Sequence, residues 1–473
     1  MYYRELLKLC QWTDEEIEKE KPRIEGAFER ARITAEDCKE GERRISKFYD
    51  MRTTRKAMGM WLRKFINIAL CKDEYRKAVY HVHLGYPRYC LALGYAAPDV
   101  FSDFVDGIPM FVMGPGCFNR IDEIYKSAEE NGLGAGLAHC GVNQVALGAI
   151  TTGMFPVPDI VVGGRQQCDQ SAKLLELMGE RLNIPYACFD TERDEPFGSY
   201  PEYFDESAMK YWAGCLEDTC KKVEEVVGVT VTDDDWRKAR ITYAKMWHQL
   251  DEINNLNSDI EPRPYKFANF QPVWWGVLDP EVNVVAVELP KILEEFKNEI
   301  IERRDEGYAV LPKDAPRTFI TCPPVCDPGV ADMYEECGLN IVQDSSAMYI
   351  ASWEMMPHKY SKWSEKVAES YMRKGYLRTC DGHIVRAKDI TDRYRLDGVL
   401  YAYVWSCRAV TPPAYMIKET IEKELGLPAA TLEVDAFDPR DHTPDSLRTR
   451  VEAFAEMLRS HKSTRLGSAS QDS

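Results

Sequence analysis

The residues of this chain most able to do chemistry are its cysteines, 15 among 473 residues. Three of them share a setting. Cys140 lies in LAHCGVNQ, just before a predicted helix. Cys168 follows the apolar run DIVVGG and opens DQSAKLLELM. Cys407 follows DGVLYAYVWS and precedes another helical stretch. The junction between a strand end and a helix start is where open α/β sheets place their ligands. A helix N-terminus also carries positive partial charge, which favours thiolate over thiol. Thiolates held in this way can serve as metal ligands. The spacing is long, with 28 residues from Cys140 to Cys168 and 239 from Cys168 to Cys407. Zinc ribbons and common ferredoxins use tight C-x-x-C pairs instead, so spacing leaves both ligation and ordinary burial open.

The remaining cysteines divide by context. Cys322-Pro-Pro-Val-Cys326 reads as a redox pair, as the source of a further ligand, or as a strand-end loop that happens to contain two cysteines. Cys117 in GPGC is the next candidate. Cys10, Cys38 and Cys71 fall in charged helical sequence and read as structural. An odd number of cysteines in a reducing compartment argues against a disulfide framework.

The elements that must position these thiols follow from periodicity. Residues 1–80 read as a charged helical arm in which Thr13 and Asp14 cap a helix and Pro22 breaks it or opens the next. Residues 81–200 alternate strand and helix. The strands are Ile108–Met113, Asp159–Gly164 and Pro185–Asp190. The helices are Arg120–Asn131, Asn143–Gly153 and Asp169–Leu182. Residues 201–312 read as mainly helical, with Asp233–Asn254 and Pro290–Glu306 clearest and the aromatic stretch Phe267–Trp275 packed in a seam. Residues 313–462 alternate again. Here the strands are Arg317–Thr321, Leu339–Asp344, Asp397–Val404 and Pro428–Val434, and the helices are Gly329–Cys337, Ile417–Leu425 and Asp445–His461. Residues 463–473 read as a disordered tail. Short apolar strands separated by helices imply parallel sheets covered on both faces, here two α/β layers bridged by helices.

Bulk properties exclude several classes. Hydrophobic residues make up 45% and charged residues 29%, a soluble, globular balance. No apolar run approaches the ~20 residues a bilayer needs, and the first residues lack the long apolar stretch of a signal peptide, so a cytoplasmic location is expected. A net charge of −17 argues against nucleic acid and anionic lipid as main partners. An anionic ligand would need a local basic or amide-lined patch.

Two long blocks carry a family resemblance. The first is AEENGLGAGLAHCGVNQVALGAITTGMFPVPDIVVGGRQQCDQSAKLLELMGERLNIPYACFD, Ala128–Asp190. It has an AE-x-x-G stretch, a cysteine, a glycine-containing helix, a P-D-h-h-h strand, a second cysteine, a K…E helix and an I-P-h-h-x-h-D strand. The second is YRLDGVLYAYVWSCRAVTPPAYMIKETIEKELGLPAATLEVDAFDPRDHTPDSLRTRVEAFAEML. In it DGV leads to a cysteine, then an E-x-D strand, D-P-R and a T-R-h-E-x-F helix. Together they resemble the 2-hydroxyacyl-CoA dehydratase and benzoyl-CoA reductase family, over roughly residues 128–460. The family's early P-x-E-h-h-x-A segment is replaced here by the helical arm and HLGYPRYCLALGYAAPDV. TCPPVCD stands where relatives carry a glycine-rich turn.

The resemblance implies two flavodoxin-like, doubly wound parallel-sheet domains. They would hold a [4Fe–4S] cluster on the matching cysteines, Cys140, Cys168 and Cys407. It implies an (R)-2-hydroxyacyl-CoA dehydratase working through a ketyl radical, with an ATP-hydrolysing iron–sulfur activator and a second homologous subunit in a heterodimer. A subunit that reduces the ring of an aryl-CoA and a non-catalytic, cluster-bearing scaffold are the alternatives. The chain has no G-x-x-x-x-G-K-[ST] loop, so ATP use would lie on the partner. Gly163 and Gly164 would offer amides to phosphate or to cluster sulfide, or simply make a tight turn. Arg165 would meet CoA phosphate or only solvent. His139, beside Cys140, would protonate a leaving hydroxyl, hydrogen-bond a sulfur or serve the structure. Asp435, Asp438 and Arg440 read as a turn with an ion pair. A zinc or thiol redox protein using Cys322 and Cys326 is the reading from outside this family.

Overall fold

The computed structural model describes all residues except 83–86, 135–138, 166–167, 192–195, 199–203, 321–325, 345–358, 374–379, 405–406, 408–410, 436–437, 439, 441–442 and 470–473. Eight strands form two four-stranded sheets, all pairs parallel. The first contains β1 (Lys77–His81), β2 (Val100–Phe104), β3 (Ile160–Gly164) and β4 (Tyr186–Phe189), in the order β2-β1-β3-β4. The second contains β5 (Arg317–Ile320), β6 (Asn340–Gln343), β7 (Gly398–Tyr403) and β8 (Ala429–Glu433), in the order β6-β5-β7-β8. Parallel neighbours require crossovers, which the intervening helices supply. Most strand positions are buried, consistent with near-continuous apolar runs rather than alternation.

The expected strands at Asp159, Pro185, Arg317, Leu339, Asp397 and Pro428 are all present, each trimmed by a residue or two. Ile108–Met113 is not a strand. Its residues Pro109–Met113 form a π-helical turn, with Phe111 stacked on Trp61 at 4.9 Å. A short, fully buried apolar run has no periodicity to separate strand from helix. Two strands, β1 and β2, escaped the pattern. Within β2 stand Ser102 and Asp103, polar residues that only their tertiary partners make tolerable. Ser102 bonds His81, and Asp103 pairs with Lys64 at 2.9 Å.

The N-terminal helices are core elements. Thr13 caps Asp14–Arg30 in a reciprocal capping box with Glu16. That helix runs straight through Pro22, where a break had been expected. The helix Arg52–Ala69 is buried on nearly every side. Its Trp61 donates to the Pro272 carbonyl at 2.9 Å, and its Lys64 to the Asp279 carbonyl at 2.8 Å. The aromatic stretch forms a short 3₁₀ turn and the helix Gln271–Leu278, fully buried. It joins the N-terminal helices to the second sheet, because Gln271 and Trp274 both donate to Asp344, just past β6. The last helix, Pro444–Ala469, continues into the segment read as a disordered tail. No described helix is long and apolar enough to cross a membrane.

Candidate functional site

Cys140 occupies the N-cap of the helix Gly141–Thr151, and Cys168 the N-cap of Asp169–Leu182. Both are buried, at 5% and 4% exposure. Each carbonyl starts its helix: Cys140 accepts from Asn143 N at 3.0 Å and Cys168 from Ser171 N at 3.2 Å. Gln170, two residues past Cys168, links the two turns. Its Oε1 accepts from the Cys140 amide and from Asn143 Nδ2, each at 3.3 Å. Cys407 follows β7 in a turn where its amide donates to Val404 at 2.8 Å and its carbonyl accepts from Thr411 N at 3.1 Å. It is half-buried.

Cys140 feels the charge of both Cys407 and Cys168, although Cys407 comes from the other sheet. Burial pushes the Cys140 thiol well above its usual range. Asp435 adds to this, then Cys407, and the Val142 amide pulls back only in part. The expectation that the helix N-terminus leaves a thiolate is therefore corrected: in a dry site faced by a carboxylate, desolvation outweighs one amide. Cations at the site would reverse the balance, because metal binding displaces thiol protons. Among the described residues no group of three or more His, Cys, Asp or Glu side chains closes on a single metal ion. The chemistry of the donor set still fits an iron–sulfur cluster, a soft-ligand group wider than one ion.

Asp435 is the site residue that sequence reasoning undervalued. It follows β8, so the strand-end rule that found the cysteines applied to it as well. The turn it begins has the expected structural features. Asp435 accepts from Asp438 N at 3.1 Å, and Arg440 binds Asp438 at 2.7 Å. Arg440 also reaches across to the first sheet's side, pairing with Glu129 at 3.0 Å over the Tyr125 ring. The loop that carries Asp435 is thus fastened to the helix Ile121–Glu130, close to Cys140.

The other candidates separate. His139 is half-buried immediately before Cys140. Gly163 and Gly164 lie within β3, paired with Cys188 and Phe189. A Cβ on Gly163 would come within 2.9 Å of Val82, and one on Gly164 within 2.9 Å of Phe189. Arg165 is a surface residue paired with Asp190 at 3.2 Å. Cys322 lies outside the described residues. Cys326 is buried, and its thiol is pushed well up by burial, then by Asp344 and Asp435. That is the opposite of an activated thiolate. Cys10, Cys38, Cys71 and Cys117 are buried, as structural cysteines should be.

Two parallel α/β sheets, with cysteines from both within electrostatic reach of one another, define a class of ligand-holding, two-layered proteins. Within it, this chain belongs to the 2-hydroxyglutaryl-CoA dehydratase D-component family, whose model matches residues 112–458. It is similar to (R)-2-hydroxyglutaryl-CoA dehydratase subunit alpha of Acidaminococcus fermentans, 22% identical over 64% of this chain and 61% of that one. It is also similar to lactoyl-CoA dehydratase subunit alpha of Anaerotignum propionicum, 24% identical over 64% of this chain and 70% of that one. A shorter match is to one subunit of the benzoyl-CoA reductase of Thauera aromatica, 31% identical over 67 residues, 14% of this chain and 16% of that one. The chain therefore spans less than two thirds of the length of the first of these relatives.

Proposed function

We propose that this chain is the iron–sulfur subunit of a 2-hydroxyacyl-CoA dehydratase, with Cys140, Cys168 and Cys407 holding a [4Fe–4S] cluster. What supports this is that Cys140 stands within electrostatic reach of Cys168 and of Cys407, which comes from the other sheet, in a chain whose relatives are named as dehydratase alpha subunits. The strand order of each sheet equals the first four strands of the flavodoxin-like doubly wound order, which supports that finer fold assignment. When bound, the cluster would supply a low-potential electron and an iron able to take up the leaving oxygen, letting the thioester pass through a ketyl radical. The chain's own residues do the rest. The caps at Cys140 and Cys168 fix two ligands, and Gln170 holds those turns together. Burial keeps water off the Cys140 and Cys168 sulfurs. His139, next to Cys140, would hand a proton to the departing hydroxide. Gly163 and Gly164 act through close packing, letting β3 run tightly beside Val82 and Phe189 before the Cys168 turn. A homologous second subunit and an ATP-hydrolysing activator complete the system in the cytoplasm.

Protein purified without oxygen should be brown and carry about four iron and four sulfide per chain. Cys168→Ala should lose the cluster while keeping its helical circular dichroism. A colourless, iron-free wild-type preparation from anaerobic, iron-replete expression would overturn the reading. The match to the Thauera benzoyl-CoA reductase favours one second reading, reduction of an aryl-CoA ring. Supplying the activated complex with a 2-hydroxyacyl-CoA or with benzoyl-CoA separates the two, because only the true substrate is consumed.

A further inference from the structure

A cavity of about 280 Å³ lies away from the cysteine site, lined by Arg88, Trp236, Arg240, Trp363 and Lys366 among others. Its charge runs against that of the molecule. In a chain of net charge −17, four of its lining residues are cationic and only Asp233 is acidic. Arg237 is already paired with Asp234. Arg240 and Lys366 have no carboxylate partner among the described residues. Arg88 is 3% exposed and its guanidinium stays charged when buried. The opposite wall is rigid and aromatic. Trp236 and Trp363 stack at 4.0 Å and 12°, with Tyr89 stacked beneath Trp236 at 5.7 Å. Cations such as Arg240 and Lys366 beside a flat aromatic wall suit a ligand that joins phosphate to a planar base.

The position suits the same ligand. Arg88 lies on the helix Pro87–Ala96, which leaves the carboxyl end of β1. β1 is paired directly with β3, whose carboxyl end leads to Cys168. Trp363 and Lys366 lie on the helix Trp363–Arg373, in the crossover that follows β6. Both rims thus come from segments leaving the same kind of strand end as the thiols. The volume is near the lower limit for small-molecule sites. It admits phosphate groups and part of a nucleoside, not a whole coenzyme with its acyl arm.

We propose that this cavity binds the phosphorylated nucleotide end of a coenzyme A thioester, with Arg88, Arg240 and Lys366 meeting the phosphates and Trp236 and Trp363 walling the nucleoside. The thioester arm then extends toward the cysteine cleft. The proposal rests on the dehydratase reading for its choice of coenzyme A, and its test is separate from that of the cluster. Coenzyme A, adenosine 3′,5′-bisphosphate and ATP are titrated into the full chain prepared without oxygen, by calorimetry. Wild type should bind coenzyme A and the bisphosphate. The variant Arg240→Ala/Lys366→Ala, both on accessible side chains, should weaken both by roughly tenfold or more, with iron, sulfide and circular dichroism unchanged. Coenzyme A binding equally well to the variant would overturn the site. ATP displacing coenzyme A at equal concentration would overturn its assignment to the coenzyme. An iron-free protein that still shows the tenfold loss would sink the cluster reading and leave the cavity standing.

Discussion

The two sheets have the same strand order and unequal shares of the site. The first supplies Cys140 and Cys168 from neighbouring helix caps tied together by Gln170. The second supplies Cys407 and Asp435, each just beyond a strand. On the proposed reading the first half would offer two ligands already tied together, and the second would add to them from a segment paired to the first through Arg440 and Glu129. Duplicating an architecture fixes where ligands can stand, at carboxyl ends of parallel strands, without fixing how firmly each half holds them.

Each half also contains a buried ion pair that fastens an outlying segment. In the first, Lys64 of the helix Arg52–Ala69 meets Asp103 of β2, at 0% and 2% side-chain exposure. In the second, Arg263 meets Glu335, both at 6%. Removing one partner of such a pair strands a buried charge and costs ~3–5 kcal/mol. Lys64→Met should show the larger loss in urea unfolding, because Asp103 is left near Asp279 and Glu281 as well. Arg263→Met should lose less, since the more shallowly buried Glu335 keeps the Phe267 amide at 2.8 Å. Equal losses would show that the two halves hold their outlying segments equally.

Each half buries one histidine too. An unfolded histidine takes its proton near pH ~6.5. In the folded chain, burial holds that protonation down to about 3 for His81 and about 4 for His383. Below pH ~6.5 the unfolded state binds more protons, so stability is lost as pH falls, by ~1.4 kcal/mol per pH unit for each histidine. Asp103 and Asp279, raised by burial to about 8 and about 6, work in the opposite direction, so the test is the difference from wild type. From pH 7 to 5 the urea midpoint of His81→Gln should fall less than that of wild type; an equal fall would overturn the role given to His81.

Close packing gives a smaller contrast. A methyl on Gly148 would run into the Ile124 carbonyl, and one on Gly398 into Leu458 and the Pro428 carbonyl. Overpacking of this kind costs ~1–3 kcal/mol. Gly148→Ala should cost more in thermal unfolding, because its methyl would press closer on the Ile124 carbonyl than that of Gly398 would on the Pro428 carbonyl. The smallest effect concerns the tie between halves. Arg440 and Glu129 are 35% and 32% exposed, so Arg440→Ala should change stability by less than about 1 kcal/mol. Its measurable consequence should instead be faster loss of iron to a chelator. Unchanged iron release would mean that the second half needs no such tie.

The amino-acid sequence by itself determined the alternation of six strands with their helices, because apolar runs bounded by caps and glycines are local signals. It also singled out Cys140, Cys168 and Cys407 as candidates, because each precedes a helical stretch, two of them after a predicted strand, and the resemblance to the family pointed to the same three. Tertiary structure alone decided what depends on distant partners. Asp103 could stand in a strand only because Lys64 arrives from another helix. Ile108–Met113 became a π-helical turn because Trp61 and Trp275 pack against it. Asp435 came to face Cys140 because two sheets far apart along the chain meet at their strand ends. Burial then reversed the protonation that the helix caps alone would favour, since desolvation depends on everything packed around a group and not on its neighbours in sequence.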